Sequence, residues 1–247
     1  MMPRSPAATC TPPPEGPPPP ATGPAVMGGT IEGRNDPSFI LVARGEGETQ
    51  LLFYGPDLAS TSSVTGFVVA GGSGCSGSDT TTYNGLDRSR RSSDPVYLRT
   101  TMAPSAPSLS GTIRYANATY KLAGGPMPGS TYSAAAPPKV ADVVGTWTMT
   151  NLLGASTSLS VDTSGTVTGA DQGCPLTGMV TPGQEGLNLL RLQLDVSWCS
   201  SRPSIEGATY DGFALASPLS GGGTQLLIWS EANNGVDWDY VMAIGRR

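Results

Sequence analysis

The chain has 247 residues, of which 33 are Gly, 23 are Pro and none is His, and charged residues make up 13%. Without histidine there can be no Ser-His-Asp triad, no Cys-His pair and no histidine metal site. No apolar run reaches the ~18 residues of a transmembrane helix, and the dilution of helix formers by Gly, Ser, Thr and Pro argues against a helix-rich fold.

Residues 1–27 are dense in Pro and cannot form a core, so they read as a disordered or polyproline II tether. Ala7-Ala8-Thr9-Cys10 stands ahead of most of that Pro. Small residues before a Cys, followed by a Pro-rich spacer, have the look of the end of a bacterial lipoprotein signal, whose apolar segment would have to lie upstream of Met1. The competing reading is a free Cys10 in a disordered tail.

Residues 28–125 read as a first β domain. Short apolar runs, among them Phe39-Ile40-Leu41-Val42, Leu51-Leu52-Phe53-Tyr54 and Val64 to Val69, are separated by turn residues. Arg44 to Glu48 reads as the turn between the first two runs. Gly71 to Ser93 is polar and Gly/Ser-rich, and reads as a long exposed loop that holds Cys75 and the basic Asp87-Arg88-Ser89-Arg90-Arg91 stretch. Residues 126–140, with Pro at both ends, read as an interdomain linker.

Residues 141–247 read as a second β domain. Thr163-Ser164-Gly165 is a hairpin turn with Gly where positive φ is needed. Leu190, Leu192, Leu194, Val196 and Trp198 alternate with polar residues, as a half-buried strand requires. Val236, Trp238, Tyr240, Met242 and Ile244 do the same after the Asn233-Asn234-Gly235 turn. About eight strands suffice to close a small barrel with a filled interior and no exposed edge. Gly29-Thr30-Ile31 and Gly145-Thr146-Trp147 open the two lobes in a similar way, too thinly to assert a repeat. The expected fold is therefore all-β: two small antiparallel barrel or sandwich lobes of about eight strands each, after the tether.

Residues 28–125 hold eight basic and eight acidic residues, whereas residues 141–247 hold four and ten. The acidic second lobe argues against nucleic acid, which demands a Lys/Arg stripe. It suits a basic protein partner, or solubility alone.

The four cysteines, Cys10, Cys75, Cys174 and Cys199, form no C-x-x-C pair, so no zinc knuckle or thioredoxin motif exists. Cys174 and Cys199 stand near predicted strand ends. A disulfide between them would close a loop of about 26 residues, stabilise by roughly 3–4 kcal/mol and imply an oxidising compartment. The alternative is two buried free thiols.

Candidate chemistry is sparse. Lys occurs only at Lys121 and Lys139, and no S-x-x-K motif is present. Glu206 with Asp211, or Asp237 with Asp239, are the carboxylate pairs that glycoside hydrolysis would need, but Asp237 and Asp239 lie opposite Trp238 on what reads as a solvated strand face. A metal there would need further oxygen ligands in a tight loop, and the sequence has none. Trp147, Trp198, Trp229 and Trp238 read as core, with Trp229, inside the run Leu226 to Trp229, the one expected to be partly exposed and open to a sugar or protein partner. Arg88, Arg90 and Arg91 read as a basic loop, either solvated or docking an acidic partner or lipid headgroups. Ile31-Glu32-Gly33-Arg34 coincides with a protease-cleavage tag, and Asn117-Ala118-Thr119 with a glycosylation acceptor. No catalytic residue, cofactor or metal site is expected.

The order G-T-W, L-S-V-D-T-S-G-T-V-T-G, G-C-P-L-T-G-M-V, L-R-L-Q-L-D-V-S-W-C, A-T-Y-D-G-F-A and V-M-A-I-G resembles uncharacterised two-lobed, β-rich lipoproteins of Gram-negative bacteria. The resemblance implies a multi-acylated membrane anchor at Cys10, a disulfide between Cys174 and Cys199, and a place in the cell envelope facing the periplasm or the cell surface. The expected function is a non-enzymatic binding or scaffolding module whose partner is a protein or a cell-wall polysaccharide. The alternative is a periplasmic inhibitor or immunity protein that binds a basic toxic enzyme.

Overall fold

The computed structural model describes residues 25–43, 50–58, 63–71, 80–89, 93–103, 108–133, 136–183, 188–197, 208–233 and 238–247. Eight strands come from the first half: β1 (Ala25–Glu32), β2 (Ser38–Ala43), β3 (Gln50–Gly55), β4 (Gly66–Gly71), β5 (Thr80–Ser89), β6 (Ser93–Ala103), β7 (Ser108–Arg114) and β8 (Thr119–Gly125). A single 3-10 turn at Val140–Asp142 precedes β9 (Gly145–Asn151), β10 (Ser156–Val161), β11 (Thr166–Asp171), β12 (Cys174–Pro182), β13 (Leu190–Val196), β14 (Thr209–Pro218), β15 (Thr224–Asn233) and β16 (Trp238–Arg246). Within β1–β8 and within β9–β16 each strand pairs antiparallel with the next, β8 returns to β1 and β16 returns to β9. The chain is thus two closed eight-stranded barrels, as the all-β reading expected. They share one topology strand for strand, which the two Gly-Thr openings only hint at.

Closure follows from the pattern of each strand. β10 and β13 alternate buried and exposed residues, so each puts one face inside and one in water. The β10–β11 hairpin turns through Gly165 at φ +89, and Asp162 caps it by accepting hydrogen bonds from the Ser164 and Thr166 amides at 2.8 and 2.9 Å. Phe39, Leu41, Leu52, Val68, Leu98 and Ile113 fill the first barrel. Trp147, Leu159, Val167, Leu192, Leu194 and Ile228 fill the second. At eight strands a barrel is just wide enough for side chains to fill it.

A third apolar cluster lies between the barrels. Ile40 and Val42 of β2, Leu51 and Phe53 of β3 and Phe67 of β4 point outward from the first barrel against Phe213, Leu215, Leu227, Trp229, Met242 and Ile244 of β14 to β16. Where they meet the wall these strands are buried on both faces, and such segments read as continuous apolar runs rather than alternating ones. Phe67 meets Tyr240 edge-on at 4.9 Å, and Phe53 meets Phe213 likewise at 6.2 Å. Gln225 donates to the Leu58 carbonyl across the wall at 2.6 Å.

The linker is stitched down. Ser130 bridges to Leu219, Thr131 donates to the Pro218 carbonyl at 2.9 Å, and the Tyr132 hydroxyl donates to the Asn188 carbonyl at 3.0 Å. Met127 is buried in the inter-barrel cluster.

Several expectations are corrected. Residues 25–27 belong to the first strand, not to a tether. The stretch from Gly71 to Ser93 contains β5 rather than one long loop. Its Gly85 sits inside the strand because β4 passes too close for a side chain: a Cβ there would lie 2.6 Å from the Val69 carbonyl oxygen. Trp229 is only 1% exposed, packed against Phe213 between the barrels. Its run Leu226 to Trp229 is continuous because it faces an interior on one side and a second barrel on the other. Arg88 is a strand residue, and its guanidinium lies 4.8 Å over the Trp238 ring across the same wall. It offers no basic loop.

Candidate functional site

The connections β1–β2, β3–β4, β5–β6 and β7–β8 gather at one end of the first barrel. Gly33 adopts φ +85, a conformation that suits glycine, and the Ile31 amide bonds the Pro37 carbonyl at 2.6 Å. This tight turn turns Arg34 back over the barrel end. Its guanidinium carbon lies 4.0 Å over the Tyr54 ring, with Tyr120 and Tyr115 at 5.4 and 5.7 Å. The β7–β8 turn, closed by the Tyr115 amide on the Ala118 carbonyl at 2.8 Å, brings Tyr115 and Tyr120 edge to face.

Beneath Arg34 sits Asp87, on the interior row of β5 opposite Val68 and 5% exposed. Tyr54 donates its hydroxyl proton to Asp87 Oδ1 at 2.6 Å, and Tyr115 donates to Oδ2. Arg34 Nη1 lies 3.5 Å from Oδ2 and also donates to the Tyr115 hydroxyl. A buried carboxylate costs a great deal unless it is paired and hydrogen-bonded, and here two hydroxyls and one guanidinium surround it.

Burial, then the Asp87 charge and hydrogen bond, raise the Tyr54 hydroxyl pKa well above the usual tyrosine value. Burial and the hydrogen bond to Asp87 do the same for Tyr115. Burial disfavours the Arg34 charge, but the oxygens of Tyr115, Tyr54 and Asp87 outweigh it and hold the guanidinium above its ordinary range. The tyrosines therefore act as donors, not bases, and the arginine keeps its charge.

Above this floor opens a cavity of about 320 Å³, walled by Asn35, Asp36, Ser89, Asp94, Asn117 and Tyr120. The Asn35, Asp36, Asp94 and Asn117 side chains bond no other group among the described residues. The mouth therefore combines a saturated floor with a rim of donors and acceptors that have spare capacity.

No family model, curated protein or solved structure matches the chain.

The residues singled out in the sequence lie elsewhere. Asp211 is exposed and accepts from Arg191 at 3.0 Å and Gln193 at 2.8 Å. Asp239 is half-buried rather than on a solvated face, because its Oδ2 accepts the hydroxyl proton of interior Tyr210 at 2.6 Å. Trp147 is core, donating to the Val143 carbonyl at 2.7 Å, with the Arg247 guanidinium 4.3 Å over its ring. Trp238 is half-buried in the inter-barrel wall and donates to Glu231 at 2.7 Å. Cys174 is buried at the start of β12, and no cysteine is free among the described residues. Cys10, Cys75, Arg90, Arg91, Trp198, Cys199, Glu206 and Asp237 lie outside the described residues, as does the Arg44 to Glu48 turn.

Sequence reasoning passes over Arg34, Tyr54, Asp87 and Tyr115. In the sequence Arg34 is the last letter of I-E-G-R, and Asp87 is one letter of a basic run. Tyr54, Tyr115 and Tyr120 each stand where an apolar run meets a turn, and that repeated placement is the one signal available.

Proposed function

We propose that the chain is a non-enzymatic binding and scaffolding module of a bacterial cell envelope, anchored through a lipid at Cys10. The observation that carries the reading is the pairing of two filled barrels through a shared wall, with polar groups of spare capacity concentrated at one barrel mouth. A filled interior leaves no chamber for cargo. A wall to which strands of both barrels contribute buried apolar side chains joins the barrels, which suits a scaffold. The floor of the mouth keeps its tyrosines protonated and its arginine charged, so neither the tyrosines nor the arginine serves as a base near neutral pH.

The anchor rests on the resemblance at Cys10 and on the Pro-rich tether behind it. One acyl chain holds a protein only reversibly, so a stable anchor needs more than one. We further propose that Cys174 pairs with Cys199. The register sets Leu176 against Val196 at the end of β13, so the chain leaves that strand beside the start of β12, three residues before Cys199. A disulfide there fits an oxidising compartment.

Metabolic labelling with an alkyne palmitate analogue, using the complete gene in a bacterial host, tests the anchor. Label on the wild type that is lost in Cys10→Ser supports it. An unlabelled chain in the soluble fraction overturns it. The acidic second lobe favours a second reading, an inhibitor or immunity protein for a basic toxic enzyme. Under that reading, tight binding to a basic hydrolase would persist when the mouth of the first barrel is altered.

A further inference from the structure

We propose that the mouth of the first barrel is a saccharide site that prefers neutral or ammonium-bearing sugars to acidic ones. The proposal rests on reading the chain as a binding module and names the ligand class of its site.

The rim mixes both halves of the hydrogen-bonding repertoire. Arg34 Nε and Nη2 only donate, Asp36 and Asp94 accept, and the amides of Asn35 and Asn117 do both. A sugar hydroxyl also donates and accepts, so successive hydroxyls can meet this alternation, whereas a ligand of only donors or only acceptors leaves half the rim unmatched. Tyr120 adds an aromatic side chain to the lining, of the kind that packs against the C–H face of a pyranose ring. The volume of about 320 Å³ lies at the small end of ligand pockets. Barrel mouths are recurrent ligand positions.

Charge decides among sugars. Among the described residues, three carboxylates, Asp36, Asp87 and Asp94, face one guanidinium, Arg34. An acidic sugar or a phosphate would meet this excess as a like charge. No group of three acidic or cysteine side chains that could hold a metal ion occurs among the described residues, so the excess is not a cation site of that kind. An ammonium beside Asp36 or Asp94 gains from the same field.

Saturation-transfer NMR on the full chain tests this with glucosamine, N-acetylglucosamine and glucuronic acid as probes. The expected result is transfer to the first two and markedly weaker transfer to glucuronic acid. Asp94→Asn and Asn117→Ala change unpaired rim groups, so the thermal midpoint should stay put while each weakens glucosamine binding about tenfold, the loss of a hydrogen bond to a charged group or its neighbour. The absence of transfer to any sugar overturns the proposal, as does equal transfer in the rim variants or a preference for glucuronic acid. A palmitate-labelled chain that binds no sugar overturns only the saccharide assignment. An unlabelled chain that binds sugar overturns only the anchor.

Discussion

Gln225 of β15 donates a hydrogen bond to the main-chain carbonyl of Leu58, 2.6 Å away, across the wall between the two barrels. The bond is buried and joins residues 167 positions apart in the chain. Around it lie Phe53, Phe67, Phe213 and Trp229. A wall of this kind couples the stability of one barrel to that of the other.

The first prediction follows from that coupling. Gln225→Ala leaves a buried carbonyl unpaired and should cost about 1–3 kcal/mol. Trp229→Ala should cost about 3–5 kcal/mol. Trp229→Phe should be milder, because the indole N–H has no partner among the described residues. Urea unfolding followed by tryptophan fluorescence and far-UV circular dichroism should give one coincident transition for the whole chain. Two separated transitions would show that the wall does not join the barrels.

The second prediction concerns the floor of the mouth. Arg34→Leu removes the one cation paired with buried Asp87 among the described residues and should cost about 3–5 kcal/mol, since a buried charge left unpaired is expensive. Tyr54→Phe removes a single donor and should cost about 1–3 kcal/mol. Arg34→Leu combined with Asp87→Leu leaves no orphaned charge but leaves the Tyr54 and Tyr115 hydroxyls without their acceptor, so it should recover only part of the loss. Thermal denaturation of the four proteins checks the set. An Arg34→Leu variant as stable as wild type would contradict the described floor.

How much of this was legible before folding depends on which side of a strand meets water. The period-two runs, such as Leu190 to Val196, face solvent outside and core inside, and they announce themselves. The run Leu226 to Trp229 does not, because its outward face meets another barrel and loses the polar half of the pattern. That loss made Trp229 look exposable when it is enclosed. β5 was hidden by Gly85 in its middle, which is there because β4 passes so close. The mouth was almost invisible: Arg34, Tyr54, Asp87 and Tyr115 come from four separate segments, and only the closure of the barrel brings them together.

The third prediction is a pH dependence. The Tyr54 and Tyr115 hydroxyls have folded-state pKa values raised above the ordinary 10.0, and burial raises Tyr132 in the same way. A group raised on folding contributes stability that is fully present below its unfolded pKa and is lost as pH rises through the folded value. Stability should therefore be flat with respect to these groups up to about pH 9 and fall above pH 10.0. Absorbance at 295 nm should show these tyrosines ionising only together with alkaline unfolding. Smooth ionisation of every tyrosine near pH 10 in the folded chain would contradict the buried network.

The fourth prediction concerns the cysteines of the second barrel. Non-reducing peptide mapping should recover Cys174 and Cys199 in one linked fragment. Reduction, or Cys199→Ser, should lower stability by roughly 3–4 kcal/mol. Recovery of both as alkylated thiols from the native protein would remove the pairing.

The proposed ligand site is the mouth of the first barrel. The measurement that tests this most directly is a backbone amide NMR titration of the full chain with N-acetylglucosamine. The predicted result is a set of shifts centred on Gly33 to Asp36, Asp94 and Asn117 to Tyr120, with β9 to β16 unmoved. Shifts confined to the second barrel, or none at all, would contradict it.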